Sequence, residues 1–132
     1  MTADSPELER FLSCEIVPSE FPHREHVRIA FEMLKRHDFP ETALHFSRTL
    51  RAMAERVGRP EAFHQTITIA FLSLIAERME SGGAADFAGF AQANPDLLEK
   101  TLLSRWYGAQ RLTSAAARRT FLLPDPALQR AQ

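Results

Sequence analysis

The stretch RPEAFHQTITIAFLSLIAERMESGG, residues 59–83, decides how the chain is to be read. Its apolar residues recur three and four positions apart, the period of a helix and not of a strand. At about 100° per residue His64 aligns with Ile67, Phe71, Leu74 and Ile75, while Gln65, Thr66 and Ser73 fall on a more polar side. Pro60 suits a first helical turn, where its missing N–H leaves nothing unpaired, and Glu61 beside it meets the positive end of the helix dipole. Gly82 and Gly83 supply the stop. The stretch predicts a helix over 60–80.

The same start signal recurs outside it, as Ser5-Pro6-Glu7, Phe39-Pro40-Glu41 and Asn94-Pro95-Asp96, and in altered form at Pro22-His23. These starts and the intervening breakers predict further helices over 6–14, 22–36, 41–57, 84–92, 95–110 and 114–120. Strand signals are nearly absent. The connections are short, and short links between long helices favour antiparallel neighbours. The expected architecture is therefore all-α, one domain over 1–132, with an up-down bundle of the helices at 22–36, 41–57, 60–80 and 95–110. Short helices cap its ends, and residues 1–5 and 127–132 are expected to fray. The tail LLPDPALQRAQ carries two prolines and is expected to wrap across the bundle or fray.

Composition narrows the function. The chain has 132 residues, 45% hydrophobic and 25% charged, which suits one globular core. A net charge of -1 lacks the basic surplus of a nucleic-acid binder, so no nucleic-acid partner is expected. The longest apolar run, Ile67 to Ala76, falls well short of the roughly 20 residues needed to cross a bilayer. No membrane association and a cytoplasmic location are the expectation. The lone Cys14 has no partner for an intramolecular disulfide and reads as a small packed residue.

The chemistry-bearing residues are histidines. On the 22–36 helix, His23 lies with Val27, Ala30, Phe31 and Leu34, with His26 and Met33 at the edge of that face. In an up-down-up arrangement this helix and the one carrying His64 run the same way, so His23, His26 and His64 gather at one end. Imidazole nitrogens there suit a first-row metal, iron or zinc, and Glu61, three residues before His64, is a fourth candidate ligand. Each has a plainer reading: Glu61 as dipole complement, and His26 or His64 as a core imidazole bonded to a backbone carbonyl. His37, beside Asp38, reads as a solvated helix terminus, and His45 as surface. The expected 95–110 helix brings Trp106, Tyr107 and Arg111 to the same end. Trp106 and Arg111 would contact a ligand, and Tyr107 would donate a hydrogen bond or proton. Arg118 and Arg119 would bind an anion or fix Asp125.

The segments His23-Arg-Glu-His26-Val-Arg28 and Phe63-His64-Gln-Thr66-Ile-Thr68, with RWYGAQRLTSAAARRTFLLPD, resemble a group of uncharacterised small bacterial all-helical proteins. The group's pattern looks like H-x-x-H-[LV]-R, then Y-H-E-T-[IL]-T, then an aromatic pair and a closing P-D. This chain departs from it with Phe63 for the tyrosine and Gln65 for the glutamate. The resemblance implies a pocket near these residues and no particular activity. Together these features predict a His-lined, metal-binding pocket for a small molecule. The alternative is a noncatalytic interaction or dimerisation module, a homodimer with structural histidines. A third reading is a metal-free binder of a small acidic ligand at helix N-termini.

Overall fold

The computed structural model describes residues 5–130, all of them helical or irregular, with no strand among them. Three long helices form the frame: α2 (His23–Arg36), α3 (Phe39–Arg56) and α4 (Gln65–Ser81), each packed against the other two. Shorter helices surround them: α1 (Pro6–Leu12), α5 (Phe87–Ala93), α6 (Ala109–Leu112), α7 (Ala115–Arg119) and α8 (Pro126–Arg130). The expected fraying falls partly on residues 1–4, 131 and 132, outside the described residues. Ser5 caps α1 through Leu8 N–H and is bound to Glu32, and 126–130 form α8.

The prolines mark starts, as their chemistry demands. Ser5, Asp38, Asp86 and Ser114 cap α1, α3, α5 and α7 with a side-chain oxygen on a first-turn N–H. At the far end of α3, Gly58 takes φ +74°, and Arg59 N–H reaches back to Ala54 O, a left-handed stop that favours glycine. Cys14, expected as a packed residue, is half-buried and holds the equivalent left-handed position after α1, with φ 59°.

Two expectations fail. The 60–80 helix starts later: Pro60–Ala62 form one 3₁₀ turn, Phe63 is extended, and His64 is the N-cap of α4. The 95–110 helix does not form. In its place are 3₁₀ turns at Pro95–Leu98 and Leu102–Arg105, and then α6. Tertiary partners outcompete a continuous ladder here. The Leu97 carbonyl, which a helix would give to Thr101 N–H, instead receives the His23 ring at 2.9 Å. Arg78 holds Asp96 with two bonds of 2.9 and 2.8 Å and Asn94 with a third at 2.9 Å. That pairing keeps the Asp96 carboxyl below its ordinary pKa. The frame therefore has three long helices, and the segment that was to be the fourth folds as turns that place Leu97, Leu102, Leu103 and Tyr107 in the core.

The tail wraps, as one of its two expected courses. Thr66 Oγ1 donates to Thr120 O at 2.8 Å and accepts Leu122 N–H at 3.1 Å. Tyr107 Oη donates to Leu122 O at 2.7 Å, Arg111 Nε to Leu123 O at 2.9 Å, and Asp125 N–H to Trp106 O at 2.7 Å. Residues 120–125 are thus a strap fastened to α4 and to the 106–111 segment.

Candidate functional site

His23, His26 and His64 do line one pocket, of about 260 Å³, enclosed by the three long helices and the wall at Ala62–Phe63. The rest of the lining is largely aliphatic and aromatic, including Val27, Met53, Ile67, Phe71 and Ile75. What the rings do there differs from one to the next.

His64 is fully engaged. Its Nδ1 accepts Ile67 N–H at 3.1 Å, capping α4, and its Nε2 lies 2.6 Å from Leu112 O, the last residue of α6. Accepting at Nδ1 puts the proton on Nε2, which donates to that carbonyl. One imidazole therefore satisfies an orphan donor of one helix and an orphan acceptor of another. Only its ring face is left for the pocket.

His23 is half engaged. Its Nε2–H donates to Leu97 O, its edge packs on Phe71 at 4.7 Å, and Nδ1 has no partner among the described residues. Burial lowers its pKa, the Leu97 carbonyl partly offsetting and Lys100 adding to the shift. His26 lies on the Phe21 ring at 4.3 Å and 6.4 Å from the His23 ring. Burial above all, then the neighbouring His23, pushes its pKa down to about 4, with the Phe21 carbonyl opposing. Both rings are neutral at pH 7. At least one nitrogen on each is able to meet a ligand.

The remaining candidates lie elsewhere. Glu61 is exposed, pairs with Arg59 at 3.6 Å, and faces a different groove from the histidines. The structure does not bring it to them, because the 3₁₀ turn before Phe63 breaks the expected Glu61-x-x-His64 helical register. Tyr107 is buried away from the pocket with its hydroxyl on the strap, and burial raises its pKa. Trp106 and Arg111 also hold the strap. These three were expected at the pocket because a continuous helix would carry them there, and that helix is absent. Arg118 donates to Glu61 O at 2.6 Å, and Asp125 Oδ1 instead accepts Ala127 N–H, so the expected arginine pairing with Asp125 is not made. His37 sits 3.5 Å from Glu41 at the surface, and His45 is exposed.

Among the described residues no three His, Cys, Asp or Glu side chains form a group able to hold a metal ion. The donor chemistry agrees: with both His64 nitrogens on backbone, His23 and His26 supply two ligands, whereas protein zinc sites use three or four.

Sequence reasoning quoted Thr66 and Thr68 within the resemblance and gave neither a role. Thr66, placed on the polar side, is wholly buried under the strap, and Thr68 Oγ1 donates to His64 O at 2.8 Å beside the pocket. Their alternation after His64 is the available signal, legible only once His64 is recognised as a cap. Phe63, named in the sequence only as a departure from the resemblance's tyrosine, has a position of its own. It lines the pocket on one side and the Arg51, Arg118 and Arg119 groove on the other.

Comparison with known protein families, curated proteins and solved structures gives no match.

Proposed function

We propose that this chain binds a small, mainly apolar molecule in the pocket lined by His23 and His26. The observation that supports this most is the pocket's character: an apolar lining with polar nitrogens on one helix, the usual make-up of a ligand site. A cavity of 150 Å³ holds one benzene, so about 260 Å³ suits roughly ten heavy atoms. Neutral imidazoles accept or donate one hydrogen bond each without carrying charge into an apolar space.

The test is thermal unfolding with octanol and, separately, with zinc or ferrous iron. Octanol at ten times its Kd is expected to raise Tm by about 3 °C or more, and the metals to leave it unchanged. A rise with metal alone would favour an iron or zinc site in which His64 leaves its carbonyl. No rise with either would remove the ligand-binding proposal. The homodimer alternative draws on Phe121 and Leu123, exposed side by side on the strap; sedimentation at increasing concentration tests it.

A further inference from the structure

The groove behind the pocket is lined by Arg51, Arg118 and Arg119, against Glu55 and Glu61. Glu61 is already paired with Arg59. Among the described residues neither Arg51 nor Arg119 has a carboxylate partner, and Arg118 is tied to a backbone carbonyl through one nitrogen only. Arg51 and Arg119 thus line the groove beside Glu55 and Glu61 with no ion pair of their own, and their planar N–H forks suit a carboxylate.

This groove and the apolar pocket share a single side chain. Phe63 lines both, and the Arg51 guanidinium lies over its ring at 5.0 Å. On the chain, Leu50 faces the pocket and the next residue, Arg51, faces the groove. The partition is therefore one extended residue, Phe63, following the single 3₁₀ turn Pro60–Ala62.

Resting on the proposed ligand-binding reading, we infer that the ligand is an amphipathic carboxylic acid. Its apolar body occupies the pocket, and its carboxylate emerges past Phe63 onto Arg51 and Arg119. The pocket lining holds no lysine or arginine to meet an acid, and the groove offers a smaller apolar surface, with Phe63 and Pro60 as its uncharged lining residues. Only a molecule with an apolar body and one anionic end uses both.

Isothermal titration of octanoate against octanol tests this, because the two differ only in the head group. Octanoate is expected to bind about tenfold tighter or more, as charge-assisted hydrogen bonds allow, and to lose that advantage as salt is raised. The double variant Arg51→Ala, Arg119→Ala, checked for fold by circular dichroism, should bring octanoate down to the affinity of octanol for the parent protein. Equal binding of the two ligands by the parent, or an octanoate advantage that survives both salt and the double variant, would overturn the inference while leaving the pocket reading intact. Binding of neither would remove both.

Discussion

At the scale of single residues, the three histidines share a pocket yet carry different loads. His64 joins two helix ends through the two nitrogens of one ring, while His26 is held neutral by burial beside Phe21. The second fact has a consequence for stability. The unfolded chain takes up a proton on His26 near pH 6.5, but the folded chain resists until about pH 4. The unfolded state thus binds more protons in that window, so stability is full above pH 6.5 and falls as pH drops toward 4. The loss from His26 amounts to roughly 3 kcal/mol. Urea unfolding from pH 7.5 to 4 should show this decline, and His26→Phe should remove most of it; an unchanged slope in the variant would count against the buried neutral ring. That His23 and His26 face inward was legible from helical spacing. That His64 is a cap was not, since capping is read from Ser, Thr, Asp and Asn, and the proline four residues upstream resembled a start.

At the scale of elements, the link between α4 and the strap rests on one hydroxyl. Thr66 Oγ1 both donates to Thr120 and accepts from Leu122, and its side chain is fully buried. Thr66→Val keeps the shape but removes two part-buried hydrogen bonds, to the Thr120 carbonyl and from the Leu122 N–H, at a cost of about 2 kcal/mol. Hydrogen exchange at Leu122 should speed up in the variant while exchange in α2 is little changed; unaltered protection at Leu122 would show that other contacts hold the strap. The long helices were legible because each has a start signal, a periodic apolar face and a stop. The segment after Asn94 was not. Its Leu97, Leu102, Leu103 and Tyr107 are all buried, but Arg78 and His23 take its polar groups from other helices, and no local pattern records partners that distant.

At the scale of the whole molecule, three long helices line an apolar pocket, and the rest of the described chain packs around them as turns, short helices and a strap. No helix among the described residues is long and apolar enough to cross a membrane. The all-helical class and the gathering of His23, His26 and His64 followed from periodicity together with short connections. The missing fourth rod, and with it the displacement of Tyr107, Trp106 and Arg111 from the pocket, followed from tertiary hydrogen bonds. The central claim is that the pocket takes a ligand at His23 and His26 while His64 stays locked in the scaffold. Imidazole ¹⁵N NMR with and without octanol examines this most directly. The account predicts that the His23 and His26 nitrogens shift on addition and that His64 keeps the Nε2–H tautomer unchanged. Stationary His23 and His26 signals, or a His64 that changes tautomer in their place, would contradict it.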